Sequence, residues 1–195
     1  MKKVVCIITS FITILSITAQ EKISTFEPSN IIKIAPLNLL LNNYQLSFES
    51  IYKEKRSFEI LLNYSYRDDL KVYDVKKSAF FESADRHEAE ILTNYRFYTS
   101  KKILAGKGFY FGPSVSYTYT YTKTRMTDYN FSTIGLGGIT GYQILFGKNK
   151  SLISLDINIT PQYRFLVNNN HHMGDQFFIP LGIKLGYRYK KSRVN

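Results

Sequence analysis

The chain has 195 residues, with 26 Lys and Arg against 15 Asp and Glu for a formal net charge of +11, 16 Tyr, 14 Phe, a single Cys and no Trp. That length suits one domain, and one cysteine excludes a disulfide framework. Beyond the first twenty residues no stretch approaches the roughly 18 consecutive apolar residues of a membrane-spanning helix.

Lys2 and Lys3 precede an apolar run, Val4 to Ile17, that ends among the small residues Ser16, Thr18 and Ala19. This pattern predicts a secretory signal peptide over residues 1–19, cut after Ala19. The run is too short to span a bilayer, and Cys6 lies early in it rather than at its end, where a lipidated cysteine belongs. Loss of Lys2 and Lys3 lowers the formal charge from +11 to +9. A basic balance usually points to nucleic acid, but an exported chain does not meet it, so no nucleic-acid partner is expected. If the exported chain enters a membrane, it must do so as a closed β-barrel, because helices and closed barrels alone satisfy every backbone group in lipid.

After a short segment, 20–30, a two-residue period runs from 31 to 189. Weak strands are predicted over Ile31–Leu41 and Tyr44–Tyr52. In Ser57–Arg67, Phe58, Ile60, Leu62, Tyr64 and Tyr66 fall on one face, and Ser57, Glu59, Leu61, Asn63, Ser65 and Arg67 on the other. Glu88–Tyr98 sets Ala89, Ile91, Thr93, Tyr95 and Phe97 against Glu88, Glu90, Asn94 and Arg96. Phe109–Lys123 alternates aromatics with Gly112, Ser114, Ser116, Thr118, Thr120 and Thr122, and a weaker strand follows over Phe131–Phe146. The clearest case is Ile153–Phe165, whose thirteen residues alternate without a break: Ile153, Leu155, Ile157, Ile159, Pro161, Tyr163 and Phe165 oppose a polar set holding Asp156 and Arg164. At about 3.3 Å per residue it is long enough to cross a bilayer on a tilt. The last strand, Gln176–Tyr189, opposes Phe177, Ile179, Leu181, Ile183, Leu185, Tyr187 and Tyr189 to Gln176, Gly182, Lys184, Gly186 and Arg188.

Short basic turns (Lys53–Arg56, Thr99–Lys107, Gly147–Lys150) alternate with longer polar connections (Asp68–Arg86, Thr124–Asn130, Val167–Asp175), apart from a tight Asn42–Asn43 turn. This is the asymmetry of a membrane barrel, with short periplasmic turns and longer external loops. The expected fold is therefore all-β: an eight-stranded antiparallel up-and-down transmembrane β-barrel with a polar, plugged interior, followed by a basic tail, 190–195. Eight strands leave an interior that side chains nearly fill. The expected plug is a charge network of Glu49, Glu59, Arg67, Glu88, Glu90, Arg96, Asp156, Arg164, Lys184 and Arg188, because unpaired charges in so narrow a space are costly. Gly112, Gly135, Gly137, Gly141, Gly182 and Gly186 are expected to make room for its long side chains.

Other candidates have plainer readings. His87, His171 and His172 with Asp85 match no metal-ligand spacing, so solvated loop residues are expected, and no cofactor. A lipid-modifying enzyme would need a nucleophile, base and acid at the outer rim. Ser83 or Ser132, His87, and Glu88 or Glu90 supply the residue types without any nucleophile motif. Glycines 135–141 lack the spacing of a phosphate loop and suit bends or crowded positions within a strand. The basic turns either attract anionic lipid headgroups or another anionic envelope polymer, or simply keep the turns wet and stop the strands sliding into lipid.

Several stretches carry a resemblance: Leu46-Ser-Phe-Glu49 with Arg56-Ser-Phe58, Glu90 to Tyr98, Gly108-Phe-Tyr-Phe-Gly-Pro113, and Leu136 to Tyr142 followed by Leu155-Asp156. Over residues 31–189 the chain resembles small bacterial outer-membrane β-barrel proteins of uncharacterised function. The resemblance implies an OmpA/OmpX-like barrel in a Gram-negative outer membrane, with no catalytic residues to carry over. Gly182, Leu185 and Tyr187 resemble the signal read by the barrel-assembly machinery, although Pro180 replaces a polar residue and the chain runs on past its last aromatic. The expected partners are outer-membrane lipid and lipopolysaccharide, that machinery, and an extracellular ligand met through Asp68–Arg86. A soluble, exported lipocalin-like binder is the third reading, and it would require an apolar interior.

Overall fold

The structure is a computed structural model that describes residues 28–74, 79–99, 106–124, 128–147, 152–169 and 176–190. The expected signal peptide, His171, His172 and residues 191–195 lie outside the described residues. The described chain is all-β. Ten strands run in order: β1 (Ser29–Ile34), β2 (Asn43–Lys53), β3 (Arg56–Asp74), β4 (Ala79–Tyr98), β5 (Gly108–Lys123), β6 (Asp128–Phe146), β7 (Leu152–Ile159), β8 (Gln162–Asn169), β9 (Gln176–Phe178) and β10 (Leu181–Lys190). One helical turn, α1 (Pro36–Leu39), joins β1 to β2. Among the described residues no helix is long and apolar enough to cross a membrane.

All the pairings are antiparallel and mostly between sequence neighbours, and β1 also pairs with β10, so the hydrogen-bonded order closes into a ring. Ten strands stand where eight were expected, and proline is the reason. β7 and β8 lie end to end along β6, with Thr160 and Pro161 between them. β9 and β10 are separated by Ile179 and Pro180, and pair with β8 and β7 respectively. Proline offers no N–H to the ladder, but its carbonyl still accepts. Gly138 N–H donates to Pro161 O at 3.0 Å and Thr160 N–H to Pro180 O at 3.0 Å, bridging both gaps.

Two other boundaries differ from expectation. The predicted strand Ile31–Leu41 stops at Ile34, because Pro36 favours the first helical position and the leucines that follow do not alternate. Three i→i+3 bonds, the last from Asn42 N–H to Leu39 O at 3.2 Å, carry the chain to Asn42, whose φ of 53° turns it into β2. Asparagine tolerates that left-handed conformation better than most residues. The expected loop Asp68–Arg86 is largely a hairpin, since β3 continues to Asp74 and β4 begins at Ala79. β2 begins only at Asn43, opposite Ser65, so the outer part of β3 rises beyond its neighbour.

The two strand faces are sharply different. Ile60, Leu62, Ile91, Tyr117, Leu136, Ile153 and Leu185 stand exposed on the outside, whereas most buried residues are Ser, Thr, Asn, Gln, Asp, Glu, Lys or Arg. The apolar part of the interior is small, with Ile31, Ile51, Tyr98, Tyr110 and Ile139 as its cluster.

Candidate functional site: the interior charge network

The alternation of β1, β2, β3, β4, β7 and β10 turns six ionisable side chains to one point inside the ring. These are Lys33, Glu49, Glu59, Arg96, Asp156 and Lys184, all essentially inaccessible to solvent. Lys33 Nζ lies 2.6 Å from Asp156 Oδ2, 2.7 Å from Glu49 Oε2 and 3.7 Å from Glu59 Oε1. Arg96 bridges the same three carboxylates: Nη1 is 2.8 Å from Asp156 Oδ2 and 3.6 Å from Glu49 Oε2, and Nη2 contacts Glu59 Oε2. Lys184 Nζ completes the set 3.0 Å from Glu59 Oε1. Three carboxylates face three cations, so the cluster is neutral as a whole.

Neutral groups supply further hydrogen bonds to the cluster, although Glu49 Oε2 is held by its ion pairs alone and Arg96 Nε has no partner among the described residues. Tyr110 OH donates to Asp156 Oδ1 at 2.5 Å, Tyr98 OH to Glu49 Oε1 at 2.7 Å, and Asn94 Nδ2 to Glu59 Oε2 at 2.8 Å. Ser47 Oγ donates to Glu59 Oε1 at 3.0 Å, Ser57 Oγ donates to Glu49, and Gln143 Oε1 accepts from Lys33 Nζ at 3.0 Å. The Arg96 guanidinium also lies 4.3 Å from the Tyr110 ring centroid. A buried charge is tolerable only when it is both paired and hydrogen-bonded; here every carboxylate is both.

A second cluster lies closer to the hairpin ends. Arg164 Nη2 is 2.7 Å from Glu90 Oε1 and Nη1 is 3.8 Å from Glu88 Oε1, while Arg86 Nη2 is 2.7 Å from Glu88 Oε2. It is shallower, with the Arg86 side chain 34 % exposed. Arg164 also stacks on Phe178, its guanidinium carbon 4.4 Å from the ring centroid. Arg86 and Arg164 themselves line a small recess of about 70 Å³ together with Thr118, Thr120, Phe131 and Gln176.

Of the ten expected network residues, five meet in the central cluster and three in the outer one. Arg67 joins neither. It is exposed, on the part of β3 beyond the end of β2, and its cross-strand neighbour is Arg86. Arg188 is also apart, its Nε donating to Ser29 Oγ at 2.8 Å where β1 begins. Lys33, Tyr98, Tyr110 and Gln143 were missed. The alternation of Lys33 between the exposed Ile32 and Ile34 carried the signal for the first, but the weak first strand hid it. The glycines serve chiefly other side chains than those expected. A Cβ on Gly186 would lie 2.8 Å from Lys33 Cγ, so Gly186 does admit a lysine, whereas one on Gly141 would lie 2.6 Å from Tyr110 Oη and one on Gly182 2.7 Å from Asn158 Oδ1.

Among the described side chains, the residues weighed for catalysis are not assembled. His87 lies on the outer face, where Nδ1 is 2.8 Å from Tyr64 OH, while Glu88 and Glu90 are ion-paired within the ring. Ser132 is buried, its hydroxyl 3.0 Å from Tyr117 OH, and the Ser83 side chain lies outside the described atoms. Among the described residues no three His, Cys, Asp or Glu side chains are placed to hold a metal ion. Comparison with family models, curated proteins and solved structures finds no match to this chain.

Proposed function

We propose that the chain is a plugged, non-enzymatic β-barrel of a Gram-negative outer membrane, with a structural role or an extracellular binding role exercised through the β3–β4 hairpin. The observation that carries this reading is the inverted polarity: a neutral network of full charges inside, and aliphatic and aromatic side chains outside. In water such an outer wall would be a large adhesive surface, whereas in lipid it is the expected one.

The number and length of the strands agree with this reading. Taking β7 with β8 and β9 with β10 as single staves gives eight, an even number, with the start of β1 at Ser29 paired to the end of β10 at Lys190. The outward row of β3 from Phe58 to Tyr66 extends about 27 Å along the strand, or about 20 Å across a membrane at a tilt of roughly 40°. Aromatics mark both its ends: Tyr44, Tyr64, Tyr66 and His87 are near neighbours at one, and Tyr52, Tyr95, Phe97 and Phe111 at the other. The wall would meet lipid and lipopolysaccharide, and the last strand, with Gly182, Leu185 and Tyr187, would be presented to the barrel-assembly machinery. The charge-filled centre, whose six ionisable side chains are essentially inaccessible to solvent, supports a plug rather than a porin. It also counts against a lipocalin-like binder, which needs an apolar cavity.

The test is fractionation of cells expressing the full chain. Recovery in the detergent-extracted outer membrane, with a gel mobility that changes on heating, is expected; recovery in the soluble periplasm would overturn the proposal. Altered lipid A or phospholipid profiles on overexpression would instead favour the outer-leaflet enzyme.

A further inference from the structure

The connection between β1 and β2 is chemically unlike the other hairpin tips at its end of the ring. Residues 75–78 read Val-Lys-Lys-Ser and 170–175 read Asn-His-His-Met-Gly-Asp, but 35–42 read Ala-Pro-Leu-Asn-Leu-Leu-Leu-Asn. α1 buries none of its residues. Leu40 is 82 % exposed and Leu41 73 % exposed, and Leu37 and Leu39 are also exposed. Beneath the turn runs an open groove of about 310 Å³ lined by Ile34, Leu39, Tyr44, Leu46, Leu62 and Tyr64. Asn38 Nδ2 donates to Gln45 Oε1 at 3.4 Å, linking the turn to β2.

The position of the groove identifies its occupant. β2 begins opposite Ser65 while β3 runs on to Asp74, and Ile34 lies opposite Leu185 while β10 starts at Leu181, so the connection sits low between its two neighbouring strands, level with the outward Tyr44 and Tyr64. Ile34, Leu46 and Leu62 belong both to the groove and to the outward apolar wall, so the groove opens directly onto that wall. Four exposed leucines would be unfavourable in water, and the volume falls at the lower end of ordinary ligand sites, about 300–1,000 Å³. We infer that α1 is immersed in the outer leaflet and that the groove beneath it seats an acyl chain of a membrane lipid. The inference rests on the membrane reading above and deepens it: the rim is locally low, and here lipid packs against a connection instead of a strand.

Because the chain has no Trp, single-Trp variants report depth cleanly. Leu39→Trp probes the groove, Leu40→Trp the outer side of the turn, and Ile91→Trp the outward wall of β4. Each would be placed in bilayers of phosphatidylcholine brominated at defined acyl positions, after its heat-modifiable mobility has shown it to be folded. Strong quenching of all three, by shallower bromines for Leu39→Trp and Leu40→Trp than for Ile91→Trp, is expected. Quenching of Ile91→Trp alone, with both turn positions open to acrylamide, would overturn the inference and leave the membrane reading intact. Shielding of the turn from lipid and acrylamide alike would point to a protein occupant, such as a second copy, and would also overturn it. Absence of quenching at Ile91→Trp would remove the membrane reading and the inference together.

Discussion

Arg96→Met isolates the physics of the central network. Arg96 lies 2.8 Å from Asp156, 3.6 Å from Glu49, in contact with Glu59 and 4.3 Å from the Tyr110 ring. Its removal leaves three buried carboxylates facing only Lys33 and Lys184. Breaking a buried ion pair from one side costs about 3–5 kcal/mol, mostly the penalty of an uncompensated charge. The double variant Arg96→Met/Asp156→Asn restores the balance at two against two. It should therefore cost less than the sum of the single variants by about 1–3 kcal/mol, the usual range for side chains within one network. Protein folded in detergent micelles would be unfolded with guanidinium chloride and followed by far-ultraviolet circular dichroism, and the midpoint shift converted to free energy at a common slope. A loss below about 1 kcal/mol for Arg96→Met, or strict additivity in the double variant, would refute the view that charge balance holds the interior together.

Arg164→Leu should cost less, about 1–2 kcal/mol, because its pairs with Glu88 and Glu90 lie in the partly exposed outer cluster. The same unfolding assay checks it, and a loss equal to that of Arg96→Met would contradict the ranking. Gly112→Ala should abolish the heat-modifiable band, because the new Cβ would lie 1.7 Å from the Tyr95 carbonyl oxygen, whereas Gly138→Ala, whose Cβ would be 3.3 Å from the Gly112 oxygen, should fold. Equal folding of the two would be inconsistent with the register of β4 and β5. In planar bilayers the protein should give no steady ohmic steps, and reproducible steps would contradict a plugged centre.

The interior of β3 was legible in the sequence because Ser57 to Tyr66 alternates cleanly and both its neighbours pair with it in register. Glu59 and Arg96 could therefore be placed on the same side from periodicity alone. What periodicity does not convey is where a wall ends. Arg67 continues the alternation of β3, but β2 stops opposite Ser65, so there is no enclosed interior for Arg67 to enter. The two proline interruptions were hidden for the complementary reason: Pro161 and Pro180 sit within apolar–polar alternation that continues through them. Lys33 was obscured by the apolar run 35–41, which made the first strand look long and indistinct. Tyr110 sat among outward aromatics, although its place one residue from both Phe109 and Phe111 already assigned it to the opposite face.

If lipid covers the outer wall, water-soluble reagents cannot reach it in the folded protein. With Cys6 replaced by serine, single cysteines at Leu62, Ile91 and Leu185 would be treated with a membrane-impermeant, water-soluble maleimide in isolated outer membranes, before and after heating in dodecyl sulfate. All three side chains are exposed on the protein surface. No labelling is expected until the protein is unfolded; prompt labelling of the folded protein at these positions would mean that water, not lipid, covers the wall.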